Sequence, residues 1–233
     1  MKLSDFKGLF KRSIAYIENI ENPFGNYYII KLKTDKGLTW RAGEHGIFKL
    51  IDQPVTGKKW RAFSVASIPE EGYMLIGIKL RDTVSSYKKA LINMKTGDKV
   101  RITGPFGWFT LQNETSPIVL IAGGIGVTPI RALLKDVEKE NAREVEVIYT
   151  SSDFHLFEND IKTIQEKDAK INLYMLNNKE ETQQEIQKAA SKYGNNAYYY
   201  ISGSQKVIKS VKRLLKSQSI KSNRMINDPF FGY

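Results

Sequence analysis

The stretch AGGIGVTPI, Ala122 to Ile130, follows a fully apolar run at 117–121 and precedes residues 129–140, where Ile130, Leu133, Leu134 and Val137 fall on one helical stripe. The pattern reads as a strand dropped through a glycine-rich turn onto a helix N-terminus. Such a turn leaves backbone N–H groups pointing into a concavity, where hydrogen bonding and the helix dipole both favour a phosphate. Gly123, Gly124 and Gly126 supply conformational freedom and close backbone approach, and Thr128 and Pro129 read as N-cap and first helical residue. A tight strand-to-helix turn with no ligand explains the same residues. The spacing is not that of the dinucleotide fingerprint GxGxxG, so other stretches must decide.

Beyond residue 117 the chain alternates strands and helices. Strands are expected at 117–122, 144–150, 170–176 and 197–202, with helices at 129–140, 156–166, 180–192 and 205–217. That rhythm predicts a parallel, Rossmann-like sheet with right-handed crossovers, its ligand lying where loops 123–128, 150–155, 177–179 and 202–205 converge. Before it, short alternating strands are expected at 13–20, 26–34, 46–51, 61–66, 72–80 and 98–103, separated by turn signals such as Asn22-Pro23-Phe24-Gly25. They predict an antiparallel β-barrel with one short helix near Ser85 to Asn93. The reading is therefore two domains, 1–112 and 113–233.

Composition narrows the chemistry. The 233 residues include no cysteine, which excludes disulfides, thiolate zinc sites and cysteine-held iron–sulfur clusters. Only His45 and His155 are present, so no metal site is expected. The N-terminus lacks a signal-peptide core and the longest apolar run is too short to span a bilayer, so a cytoplasmic protein without membrane insertion is expected. The net charge of +11 is uneven: residues 1–110 hold 19 Lys and Arg against 10 Asp and Glu, residues 111–233 hold 17 against 15. A basic first half suits either solubility or an acidic partner, and with no basic helix, zinc finger or RNA-binding signature in view, nucleic acid is not expected.

Arg61-Ala62-Phe63-Ser64-Val65-Ala66-Ser67 closes one expected barrel strand, with Arg61 and Phe63 on one face. Taken alone it is a phosphate clamp beside a stacking ring, or a plain edge strand. The heptapeptide resembles the R-x-[YF]-S-x-A-S flavin signature of the ferredoxin–NAD(P)H reductase superfamily, and AGGIGVTPI resembles that family's pyridine-nucleotide loop. Gly97 to Phe109, GDKVRITGPFGWF, is similar to its G-D-x-V-x-x-x-G-P-x-G-x-F segment, and Thr83-Val84-Ser85-Ser86-Tyr87 to its flavin-pyrophosphate helix start. Four motifs in the family's order agree with the barrel-then-parallel-sheet pattern read from periodicity.

The resemblance implies a flavoprotein reductase passing electrons from NAD(P)H through bound FAD, preferred over FMN, to a separate acidic carrier such as a ferredoxin, flavodoxin or oxygenase component. It implies that Arg61, Ala62, Phe63, Ser64, Ile78, Lys79, Val84, Ser85 and Ser86 hold the flavin. Gly123, Gly124, Gly126, Thr128, Pro129, Ser151, Ser202 and Gly203 would hold the nicotinamide nucleotide, and Ser64 and Ser202 would stand at the reacting rings. Ser202-Gly203-Ser204 replaces the family's C-G-P, which bears on transfer rate, and Asp153 in the second loop opposes a 2′-phosphate and leans the choice to NADH over NADPH. The ending Phe230-Phe231-Gly232-Tyr233 is similar to an F-x-G-Y tail, implying that Phe230 or Tyr233 covers the flavin. The alternatives are a free-flavin or ferric-chelate reductase and a nucleotide-binding component of a larger redox complex.

Overall fold

A computed structural model describes residues 3–35, 37–139 and 143–229. The chain divides into two compact units between Thr110 and Leu111.

In the first unit, β1 (Arg12–Phe24), β2 (Tyr27–Thr34), β3 (His45–Leu50), β4 (Trp60–Ser64), β5 (Met74–Lys79) and β6 (Lys99–Phe106) form one antiparallel sheet in the order β4-β3-β6-β1-β2-β5. The sheet curls into a half-barrel, bringing its edge strands β4 and β5 together. Alternation makes the curl possible: Ile30 and Leu32 of β2, Phe48 and Leu50 of β3, and Val100 and Ile102 of β6 all point into one core. Helix α1 (Ser86–Ile92) plugs it with Tyr87 and Leu91, and the Tyr87 hydroxyl donates to the Phe48 carbonyl at 2.9 Å. Ser85 is the N-cap, accepting from the Lys88 amide.

A 3-10 segment, Leu3–Phe10, precedes the first strand and was not expected from the sequence. It is fastened by charge. Arg41 donates to Asp5 at 3.3 Å, to Glu44 at 2.9 Å and to the Gly107 carbonyl at 3.0 Å, while the Gly107 amide donates to the Asp5 carbonyl. Both carboxylates are buried, and removing the arginine would leave two desolvated anions.

The second unit holds the parallel sheet β7 (Ile118–Gly123), β8 (Val145–Thr150), β9 (Ile171–Leu176), β10 (Tyr198–Ser202) and β11 (Met225–Asn227), ordered β11-β10-β7-β8-β9. Helices α2 (Val127–Val137), α3 (Glu158–Lys167), α4 (Lys179–Tyr193) and α5 (Gln205–Ser217) form the crossovers. Val119 and Ile121 of β7 pack with α4 and α5, leaving the alternate residues Leu120 and Ala122 to the face where α2 lies. Burial on both faces explains why β7 is apolar throughout. Among the described residues no helix is long and apolar enough to cross a membrane.

His45 is buried at the start of β3, its ring edge-on to Phe106 at 4.5 Å. Desolvation holds its pKa down at about 4, against an ordinary 6.5. The unfolded chain therefore takes up this proton first on acidification. Its stabilising contribution is complete above pH 6.5 and is lost as pH falls toward 4, a loss of about 3 kcal/mol. Denaturant titrations across this range should show that loss in the native protein and a correspondingly flatter profile in His45→Gln.

Candidate active site

In the second unit the strand order reverses direction at β7, with β8 and β9 on one side and β10 and β11 on the other. Ligands of open parallel sheets lie outside the carboxyl ends of the strands at such a point. Here the ends of β7 and β10 meet backbone to backbone. A Cβ on Gly126 would overlap the Ser202 carbonyl and stand 2.6 Å from the Gly203 nitrogen. Gly203, at φ +155°, would place its own Cβ 3.3 Å from the Gly123 carbonyl, and Gly124 adopts φ +55° with open space around it. The glycines thus serve two purposes. Gly126 and Gly203 let two loops interlock, and Gly124 supplies the left-handed residue that turns the chain.

The helix start differs from expectation. Gly124–Gly126 form a 3-10 turn that runs directly into α2 at Val127, so Thr128 is not the N-cap and Pro129 not the first helical residue. The Thr128 hydroxyl donates back to the Ile125 carbonyl at 2.8 Å and is buried. The amides of the 3-10 turn and first α-turn keep the dipole-favoured end of the helix at the crevice. Pro129 sits within the first turn, where a missing N–H costs little.

Ser202, at the end of β10, is fully buried and donates to the Asp228 carboxylate at 3.1 Å. Asp228 is itself buried and follows β11, its amide donating to the Ile201 carbonyl. Neither β11 nor Asp228 was read as functional from sequence. A single carboxylate after the short apolar pair Met225-Ile226 was the available signal. Ser204 caps α5 through the Val207 amide. At the end of β8, Ser151 is buried, with its hydroxyl donating to Asp153 at 3.4 Å and its amide to Leu176. Asp153 stands exposed at the loop surface.

In the first unit, β4 pairs with β3 so that Ser64 lies opposite His45 and Phe63 opposite Gly46. Arg61 and Phe63 share the face toward α1. Phe63 is half-buried, 5.5 Å from Phe48 and 6.3 Å from Tyr87, and the Arg61 guanidinium lies 5.2 Å over the Tyr87 ring while donating to the Lys58 and Trp60 carbonyls. Lys88 of α1 donates to the Lys79 carbonyl at 3.1 Å. Burial, then Arg81, then Arg61 push the Lys88 pKa down to about 8. Three cations are held together at a cost, and a bound polyanion would relieve it.

The remaining expected residues are dispersed around this cluster. The Lys79 ammonium is held by the Tyr27 hydroxyl at 2.7 Å, and the Ile78 side chain belongs to the core, leaving that residue only its backbone to offer. Ser86 accepts from the Thr56 amide, and with Val84, Gln53, Pro54, Lys89, Ala90 and Asn93 it lines an open cleft of about 400 Å³. Ala62 lies between Arg61 and Phe63 on the opposite face of β4. Phe230 and Tyr233 lie outside the described residues.

Residues 120–213 match the Oxidoreductase NAD-binding domain family. One component of the Na(+)-translocating NADH-quinone reductase of Shewanella putrefaciens is 32% identical over 100 residues, covering 40% of this chain and 33% of that protein. Two solved structures share the fold across nearly the whole chain. One is the Amycolatopsis cytochrome P450 reductase GcoB, with TM-score 0.80, 16% identity and coverage of 94% of this chain and 70% of that one. The other is the ferredoxin–NADP+ reductase of Plasmodium falciparum, with TM-score 0.75, 19% identity and coverage of 92% and 94%. The chain spans about a third or less of the length of the curated relatives it matches.

The glycine contacts give an ordered expectation. Gly126→Ala, which drives a methyl into the Ser202 carbonyl, should cost about 2–3 kcal/mol and abolish nicotinamide-nucleotide binding. Gly124→Ala meets open space and should cost only the left-handed penalty of about 1 kcal/mol. Thermal denaturation and calorimetric titration with NADH check the order.

Proposed function

We propose that the chain, with an oxidoreductase NAD-binding domain match over residues 120–213 and the fold of ferredoxin reductases, is a member of the ferredoxin–NAD(P)H reductase superfamily: a flavoprotein reductase that takes a hydride from NADH and delivers electrons to a separate, acidic carrier protein such as a ferredoxin or flavodoxin. A flavin, when bound, supplies hydride acceptance and the release of electrons one at a time. The observation that carries the flavin half is the cation cluster of Arg61, Arg81 and Lys88 beside a half-buried aromatic ring, a donor set that fits a diphosphate joined to a flat heterocycle.

On this reading Arg61 and Lys88 bind the diphosphate of FAD, with the Val84 and Ser85 amides, and Phe63 offers its face to the ring. Ser64, the last residue of β4, offers its hydroxyl to the reacting edge. In the second unit the amides around Gly124 and Gly126 hold the nicotinamide nucleotide's phosphates at the switch point. The Ser202 hydroxyl donates to Asp228, so its lone pairs are left as acceptors for a carboxamide N–H. The buried carboxylate also favours the positive charge that grows on a nicotinamide as hydride leaves. The chain's work is orientation, since hydride transfer requires donor and acceptor atoms about 3–3.5 Å apart.

NADH is favoured over NADPH by Asp153, whose carboxylate at the end of β8 opposes a 2′-phosphate, and the curated relative acts on NADH by its name. The excess of basic residues in 1–110 supports an acidic carrier.

Protein that stays yellow after desalting and reduces a dye with NADH supports the proposal. Colourless protein that reduces added flavin would make flavin a substrate and overturn it. Asp153→Ser should raise kcat/KM for NADPH about tenfold with little change for NADH, read from steady-state rates. Retention of FAD should weaken as pH rises through 8, where Lys88 in the flavin-free protein loses its proton, and Lys88→Met should bind FAD more weakly and without that dependence. Fluorescence titration across pH 7 to 9.5 reads both.

A further inference from the structure

Charge in the second unit is segregated, and the average over 111–233 conceals it. Residues 186–227 hold nine Lys and Arg and no Asp or Glu. Helix α5 is the centre of this region, a basic helix where the sequence reading saw none. Ser204 caps it, and Ile208, Val211 and Leu215 bury its inner stripe. Lys206, Lys209, Arg213 and Lys216 then fall at helical spacing on the outer face, all exposed. They form one row over about 15 Å.

The unit's own carboxylates do not neutralise this row. Among the described residues, Glu138 pairs with Lys135 and Lys167, Glu146 and Glu144 with Lys192, Asp160 with Arg131, and Glu185 with Lys188, and no ion pair reaches α5. Four like charges at i, i+3 and i+4 spacing on a surface helix repel one another weakly, and an external polyanion lying along the row would turn that repulsion into attraction.

We propose that the outer face of α5 is a docking surface for an anionic lipid bilayer, held by electrostatics alone. The composition of the face selects this partner. Interfaces with proteins concentrate binding in aromatic and Arg residues that become desolvated. The row here is three lysines and one arginine, flanked by Gln205, Ser210 and Ser217, with no aromatic or large apolar side chain among them. Single-stranded nucleic acid would call for aromatic platforms, also absent from this face. Lysines are compact, strongly hydrated point charges suited to a diffuse layer of headgroups. The apolar face of α5 is spent in the core, so the helix does not insert, and binding is peripheral and reversed by salt.

The test is sedimentation of the full chain with vesicles of phosphatidylcholine mixed with phosphatidylserine, and with phosphatidylcholine alone. The native protein should pellet with the mixed vesicles at low salt, be released at high salt, and ignore the neutral ones. The fourfold variant K206Q/K209Q/R213Q/K216Q should lose about a hundredfold or more in partitioning, while its NADH-driven dye reduction is unchanged. A matched variant, K33Q/K49Q/K95Q/K99Q, removes as many exposed charges from the first unit and should keep most of the binding. Equal loss in both variants would reduce the effect to net charge and overturn the proposal. So would failure of the native protein to bind, or tighter binding to duplex DNA, RNA or polyglutamate at the same ionic strength.

Discussion

The contact on which the second unit depends is the one between Gly126 and the Ser202–Gly203 peptide. Adjacent parallel strands β7 and β10 end side by side, and the loops leaving them wind in opposite directions. For the glycine turn and Ser202 to open into one crevice, those loops must touch through bare backbone. Any side chain at Gly126 would separate them, because the Ser202 carbonyl occupies the space. The same closeness buries Ser202 and brings it onto Asp228, so one steric constraint fixes both the glycine turn and the polar pair beside it.

Electrostatics is arranged in two contrasting ways. Most carboxylates of the second unit are spent on neighbours, as Glu144 and Glu146 are on Lys192 and Tyr193, and these pairs tie strands to helices. Elsewhere like charges are gathered. Around Lys88 three cations crowd a partly buried spot, where burial first, then Arg81 and Arg61, depress the lysine's pKa. Along α5 the cations stand in water, where repulsion is screened. The first arrangement suits a single small polyanion held closely; the second suits a wide, diffuse one.

Much of this was legible in the sequence, for physical reasons. Strands such as β2 announce themselves because one face must be apolar, and β7 because both faces must be. The helix α5 was placed at its observed limits, since a serine cap and an apolar stripe coincide there. Capping logic failed at Thr128, because the glycine turn is itself a 3-10 helix continuous with α2, which leaves the threonine inside and its hydroxyl bound to Ile125. The segment Leu3–Phe10 and the three-residue β11 were missed, one for lacking a 3.6-residue period and the other for being too short to show any. Asp228 was missed because its partner lies 26 residues away, a pairing that only the sheet reveals. The basic face of α5 was visible in the letters and was lost by averaging charge over half the chain.

The proposed function requires that a bound nicotinamide nucleotide deliver hydride to a bound flavin. Anaerobic rapid mixing of the flavin-loaded protein with NADH checks this step. The visible absorbance of the oxidised flavin should disappear within one turnover, and more slowly when the transferred hydrogen at nicotinamide C4 is deuterium. A flavin that stays bound and yellow under excess NADH would contradict it.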